Sequence, residues 1–402
     1  MHTNRALAVI VGTALAFTMS AAPAGSAAPA AGSATASGAV TVGTSVTAES
    51  DDRLPRPRLR VRVVEGGLDI PWDLTFLPGG GMLYTQRDRL SIRYHGPRGA
   101  DRLVRIRTQG MWHSGETGLM SILAMRDFRR SRQFLTCHGS FAPGGHEVRV
   151  VLWKLSGDLT HAKRVRKVVT NLPATSGRHG GCRLRFGPEG ALYVGTGDAA
   201  QTKNPQSLTS GGGKVLRVQP KSGRPWPGNP FIHADSPMKR KIYTYGHRNV
   251  QGLAVRPRGG MWSVEHGTYR DDEVNRLRRG GNYGWQPGPG YDESPPMTNY
   301  SLPGKQIGAR WRSGSPTIAP SGAVWLRGQK WGIWDGCLAM AVLGHTQLRI
   351  LKFNREGTFV RGWIPLKGNR LRSAVQGPDG NLYLTTANGG GNDRILKVVP
   401  RR

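Results

Sequence analysis

The chain has 402 residues, with 57 Lys+Arg against 25 Asp+Glu and a net charge of +32. That length holds one large domain or two ordinary ones, and the charge suits an anionic wall, an acidic glycan or nucleic acid. Nucleic acid is excluded by pattern, because the cations are scattered arginines rather than a patch and no nucleic-acid motif accompanies them.

The chain opens with Arg5, the apolar run 6–17 and the small-residue stretch AAPAGSAAPA. A basic start, a short apolar core and an A-x-A-like cut site predict a secretory signal over 1–28 and a location outside the cell. The run is short for a bilayer span, so an uncleaved anchor is the weaker alternative. Residues 29–53 are Ala, Gly, Ser and Thr with few large apolar groups, and read as a flexible linker. Export leaves weak attachment to an anionic envelope as the expected use of the charge.

From residue 54 onward one pattern returns: an apolar strand, a tight Pro/Gly turn, then a strand rich in aromatic and β-branched residues. The copies are DLTFLPGGGMLYT, RLRFGPEGALYVG, GLAVRPRGGMWSV, PTIAPSGAVWL and AVQGPDGNLYLTT, with a weaker sixth, SILAMRDFRRSRQFLTC. Their turn markers are Pro78, Asp127, Pro188, Pro257, Pro320 and Pro378. Pro fixes φ and Gly accepts the positive φ of such turns, while period-two apolar patterning on either side is strand. Six such units predict an all-β, six-bladed β-propeller over 54–402, with the strand near residues 60–64 completing the ring; a β-sandwich is the poorer alternative. Of the three cysteines, Cys137 and Cys182 flank neighbouring units and are the favoured pair in an oxidising compartment, with Cys337 left over; three buried thiols is the other reading.

In a propeller the innermost strands begin around one mouth of the central channel, so residues at matching offsets before each turn face one another. His179 and Arg248 each lie nine residues before their turn proline, and Asn249 is beside Arg248. Arg370 and Arg372 lie eight and six before Pro378, Glu116 eleven before Asp127, and Thr317 three before Pro320. Arginines aimed at a common point imply an anionic ligand with planar oxygen groups, and a histidine among them is a candidate general base. Taken singly, each has a bland reading as a hydrogen-bonding or solvated side chain; the shared phase in the repeat favours the site.

HGGCRLRFGPEGALYVGTGD, YTYGHRNVQGLAV, SVEHGTYRDDEVNRLRRGGNYGW and NRLRSAVQGPDGNLYLTT resemble the soluble quinoprotein glucose/sorbosone dehydrogenase family, from about Val64 to the C-terminus. The resemblance implies a six-bladed propeller holding pyrroloquinoline quinone (PQQ) and Ca2+, with a sugar as substrate and an electron acceptor the sequence does not identify. It makes His179 the base for the sugar's anomeric hydroxyl, with hydride passing to the quinone, and Arg248 the group that polarises the quinone oxygen. It makes Glu116, Asn249, Thr317, Arg370 and Arg372 cofactor-side positions. Gly267 and Thr268 match carbonyl ligands of the calcium at the quinone; Glu273, Tyr283 (by its carbonyl) and Glu293 match a second, structural calcium. This sequence departs from the pattern where Glu116 replaces an amide, Gly344 a lysine on the quinone, Ser315 a tryptophan near the sugar and Thr268 a proline. The base and arginine core is kept while the substrate wall is not, so glucose specificity does not carry over. Two other functions compete: a non-catalytic glycan- or protein-binding propeller, and a calcium-centred hydrolase or lactonase, for which Glu116 is the one inward carboxylate.

Overall fold

The computed structural model describes residues 54–401. The signal and linker expected over 1–53 lie outside the described residues. Those described form six four-stranded antiparallel sheets arranged as a β-propeller. Blades 1 to 5 span residues 71–104, 119–174, 181–245, 250–312 and 320–367. Blade 6 takes three strands from residues 371–401 and its outermost strand, Arg58–Leu68, from the start of the domain. That strand runs antiparallel to Asp393–Arg401, with Arg58 opposite Arg401 and Leu68 opposite Asp393. The two ends of the domain are thus stitched into one sheet, and no blade is left with an open neighbour.

Packing follows from the patterning. Alternating apolar residues give each blade apolar surface that it can bury only against the next blade. Six apolar clusters fill these gaps, essentially one to each junction, from Leu83 and Trp153 between blades 1 and 2 to Tyr84 and Ile395 between blades 6 and 1. Burial of this kind supplies roughly 25 cal/mol per Å2 of apolar surface, so the fold depends on closing the ring. The disulfide Cys137–Cys182, Cα atoms 5.6 Å apart, ties a blade 2 strand to the inner strand of blade 3, and Cys337 is buried.

Five of the six predicted turn markers fall in the hairpin after the inner strand; the amide of Gly187, for example, donates to the carbonyl of Ala191 at 2.9 Å. Pro320 is the exception and corrects the sequence reading. It opens the inner strand Pro320–Trp325, opposite Val342. The blade 5 turn lies further on, around the 3-10 helix Gln329–Trp334. PSG there looks like turn chemistry but begins a strand.

With true strand starts at Pro71, Leu119, Gly181, Val250, Pro320 and Leu371, the third residues are Asp73, Ser121, Arg183, Gly252, Gly322 and Ser373. These form a layer across the axis. Buried Arg183 lies 2.9 Å from Asp73 and from Ser373 Oγ, and Ser121 Oγ donates to Asp73 at 2.6 Å. Blades 4 and 5 contribute glycines because the strands approach closely: a Cβ would lie 2.4 Å from the Ser321 carbonyl at Gly252 and 2.8 Å from the Ser373 backbone at Gly322. The guanidinium of Arg183 rests 4.0 Å over the Trp72 ring, so the channel is plugged below its mouth by a hydrogen-bonded ion pair.

Candidate active site

The corrected strand starts place every predicted mouth residue at the same end of the barrel of inner strands. His179 and Arg248 precede their strands by two residues, Asn249 and Arg370 by one, Glu116 and Thr317 by three, and Arg372 is the second residue of its strand. Hydrogen bonds join several of them across blades. Asn249 Nδ2 donates to Glu116 at 3.0 Å, Gln251 Nε2 to Asn249 Oδ1 at 3.1 Å, and Arg372 Nη1 to Gln251 Oε1 at 3.0 Å.

His179 is buried in a left-handed backbone conformation, φ +54°. Its Nδ1 lies 2.8 Å from Asp198 Oδ1 and 2.9 Å from the Tyr291 hydroxyl. The other oxygen of Asp198 accepts from the Tyr291 hydroxyl at 2.7 Å and from Trp285 Nε1 at 2.8 Å. An ionised carboxylate only accepts, so the imidazole proton belongs on Nδ1 and Nε2 keeps its lone pair. This is the tautomer a general base needs.

Arg248 is buried and donates through Nε to Glu293 at 3.1 Å, with Nη2 on the same oxygen. The second Glu293 oxygen takes Arg178 at 2.6 Å. Arg372 is buried, and its Nε has no partner among the described residues. Burial, then nearby Arg87, pushes its guanidinium down to about 9, with Glu116 opposing. Burial would raise the Glu116 carboxyl, but His179, His266, the Asn249 hydrogen bond and Arg372 together hold it below its usual range. His266, whose buried Nε2 has no partner among the described residues, is pushed down to about 4, first by burial. Arg370 is exposed and reaches the carbonyls of Ala387 at 2.9 Å and Leu343 at 3.3 Å, the latter next to Gly344. At Gly344 itself a Cβ would lie 2.8 Å from the Ile318 carbonyl, so a lysine there requires a backbone shift.

Gly267 and Thr268 follow His266 in a loop organised by Asp272, which is fully buried and not a solvated acid. Asp272 accepts from the amides of Gly267 (2.9 Å), Ile318 (2.5 Å) and Ala319 (3.1 Å). Thr317 joins the same loop through its amide, which donates to the Tyr269 carbonyl at 3.2 Å. Glu273 and Glu265 are buried and share the amide nitrogen of Asn275, at 3.2 and 2.8 Å. Burial and the neighbouring Glu265 push Glu273 up to about 8, and Asn275 Oδ1 is buried without a partner among the described residues. Paired carboxylates beside an orphaned amide oxygen make a set of hard oxygen donors that fits a cation. The Tyr283 ring stacks on His247, 4.6 Å between centroids, and His247 Nδ1 lies 2.8 Å from Glu265. Glu293, expected as a ligand of the second calcium, instead has both oxygens engaged, by Arg178 and by Arg248 of the mouth.

The sequence reading missed Asp198, Tyr291, Trp285 and Gln251. Asp198 carried a usable signal. In the blade 3 hairpin Gly181 pairs with Thr196, so the residue opposite His179 is Asp198. Tyr291 and Trp285 come from a long connection without repeat phase, and nothing in the pattern points to them.

A family model described as Glucose / Sorbosone dehydrogenase matches residues 68–397. The chain is 30% identical over 353 residues to Aldose sugar dehydrogenase YliI of Escherichia coli, covering 85% of this chain and 93% of that one. Among solved structures it is similar to a putative oxidoreductase (glucose dehydrogenase) of Thermus thermophilus, with TM-score 0.74, 34% identity and coverage of 85% and 100%. It is also similar to the PQQ-bound form of an aldose sugar dehydrogenase from Streptomyces coelicolor, with TM-score 0.71, 29% identity and coverage of 86% and 100%. The chain therefore belongs to the glucose/sorbosone dehydrogenase family and is, on that footing, a sugar oxidoreductase.

Proposed function

We propose that the protein oxidises an aldose or related sugar with PQQ as its cofactor, His179 as general base and calcium as a supporting ion. The observation that carries this is one mouth holding an imidazole with its Nδ1 committed to Asp198, beside a buried guanidinium with an unpartnered Nε. Arg372 lacks a full complement of partners in a site lined with arginines, which suits a planar tricarboxylate. Arg370, whose Nη1 donates to the Leu343 carbonyl next to Gly344, offers a cation near the missing lysine. The similarity to a PQQ-bound aldose sugar dehydrogenase points the same way.

When bound, PQQ supplies the two-electron acceptor for the sugar. His179 Nε2 takes the proton of the sugar hydroxyl, and Asp198 stabilises the imidazolium that results. Arg248 offers fixed positive charge where negative charge develops. Glu116 accepts from Asn249 Nδ2 and sets the orientation of that amide. The carbonyls of Gly267 and Thr268 would hold calcium at the mouth, and Glu273 with the Tyr283 carbonyl would hold a structural calcium. Export and weak attachment to an anionic envelope complete the proposal, in keeping with the disulfide and the charge.

The test is reconstitution of the purified protein with PQQ and calcium, followed by a broad sugar panel read by dye reduction. Sugar-dependent reduction that is lost in His179→Ala is the expected result. No turnover on any sugar by a protein that binds the quinone would leave a binding propeller as the better reading.

A further inference from the structure

One short loop grips both groups assigned to catalysis. It runs through residues 287–294, and its base is pinned to the loop after Asp198. The amide of Tyr291 donates to Thr202 Oγ1 at 3.2 Å, Thr202 Oγ1 donates to the Gly288 carbonyl at 3.2 Å, and Gln286 Nε2 donates to the Thr202 carbonyl at 3.1 Å. Tyr291 is held at φ +63°, and its hydroxyl serves Asp198 and meets His179. Two residues on, Glu293 takes the Nε and Nη2 edge of Arg248.

That leaves one edge of the guanidinium. Among the described residues Nη1 has only a 3.4 Å contact with the His266 carbonyl. Arg248 is 5% exposed, so its charge has little water to share. The carboxylate of Glu293 is itself steadied from outside by exposed Arg178, whose guanidinium also lies 5.3 Å from the Tyr291 ring centre. The loop is therefore a strap with two points of contact, one behind the base and one behind the arginine.

We infer that Glu293 is a positioning residue that fixes the orientation of Arg248, turning its Nη1 edge toward the channel mouth, instead of a ligand of the structural calcium. Two donors of one guanidinium edge share a single Glu293 oxygen while Arg178 fixes the other, which limits rotation of Arg248, and a reacting group displaced by about 1 Å costs on the order of 10²-fold in rate. The consequence for catalysis rests on the proposed function; the orientation of Arg248 does not.

The experiment compares wild type, Glu293→Gln and Glu293→Ala in the whole protein. The first readout is the rate at which phenylglyoxal modifies Arg248, followed by peptide mass spectrometry without quinone. Modification should be slow in wild type and E293Q, whose amide oxygen still accepts from Nε, and several-fold faster in E293A. The second readout is kinetics after reconstitution: E293A should lose about 10²-fold in kcat with sugar KM unchanged, and E293Q should recover most of it. Equal Arg248 reactivity in all three proteins overturns the inference. So does equal loss of kcat in both variants, tracking the folded fraction. If wild type binds no quinone while Arg248 becomes reactive only in E293A, the quinone reading fails and the strap stands.

Discussion

Replacing Asp198 with Asn tests the catalytic geometry at a fully buried joint. The two side chains have nearly the same shape, so the effect is electrical. Asp198 Oδ1 serves His179 Nδ1 and the amide of Ala200 at 2.9 Å, and Oδ2 serves Trp285 Nε1 and the Tyr291 hydroxyl. Each oxygen therefore faces one obligate donor, an N–H that cannot reverse. Whichever way the new amide turns, its NH2 meets an N–H, leaving a buried donor unmatched at a cost of about 1–3 kcal/mol in stability. The rate effect is separate. When His179 takes a proton, the new cation loses its neighbouring carboxylate. Two unit charges about 4 Å apart at an effective dielectric constant of about 20 interact by about 4 kcal/mol, which is roughly 10³-fold in rate. Reconstituted Asp198→Asn should show a kcat lower by about that factor, with quinone affinity unchanged because Asp198 lies behind the imidazole. The assay is sugar-dependent dye reduction alongside a quinone titration. A folded variant within tenfold of wild type would refute the assignment of His179 as base oriented by Asp198.

Three further outcomes follow from the same structure. Lys214 is fully buried and donates to the carbonyls of Asn204 (2.6 Å), Pro205 (3.0 Å) and Gly212 (2.6 Å), bracing the loop that leaves Asp198. Lys214→Met orphans three acceptors and should destabilise the fold by about 3 kcal/mol or more, measured by denaturant unfolding. Burial would raise the Asp73 carboxyl, but Arg183 and Arg185 outweigh it and hold its pKa below the usual value. Its contribution is therefore fully present above the unfolded-state pKa near 4 and is lost as pH falls through the lower folded value. Asp73→Asn should be less stable at neutral pH and should flatten the acid limb of the stability profile; an unchanged limb would exclude Asp73 as its source. On the proposal that calcium fills the Glu273 site, a chelator should lower Tm by removing a ligand that binds only the folded state, and calcium should restore it better than magnesium, which demands tighter octahedral geometry.

Much of the fold was legible because turn chemistry is local. Pro188 and Pro378 announce hairpins through their own φ and the glycines that follow. Blade 5 shows the limit: PSG at Pro320 has the same residues but opens a strand, and only pairing with Val342 tells the difference. The mouth residues share one phase before their strand starts, but Thr317 was counted from a turn that is not there and joins them only because Pro320 opens the inner strand. The layer of Asp73, Arg183 and Ser373 obeys the same phase and became visible once strand starts were known. Asp198 was within reach through the antiparallel register of its hairpin. Tyr291 and Glu293 were not, because a long connection between strands has no period, and a carboxylate near DDE and GGNYGW reads equally well as a metal ligand or as an arginine partner.

A mouth lined with arginines should take up a flat, anionic redox molecule. Absorbance titration of the metal-replete apoprotein with PQQ tests it most directly, using wild type, Arg372→Gln and Arg248→Ala. The account predicts a saturable spectral change at one equivalent in wild type, weakened at least tenfold by loss of the Arg372 charge, whose removal forfeits about 1.5–3 kcal/mol of charged hydrogen bonding. It predicts an altered spectrum in Arg248→Ala. A wild-type protein that leaves the PQQ spectrum unchanged at every concentration would contradict it.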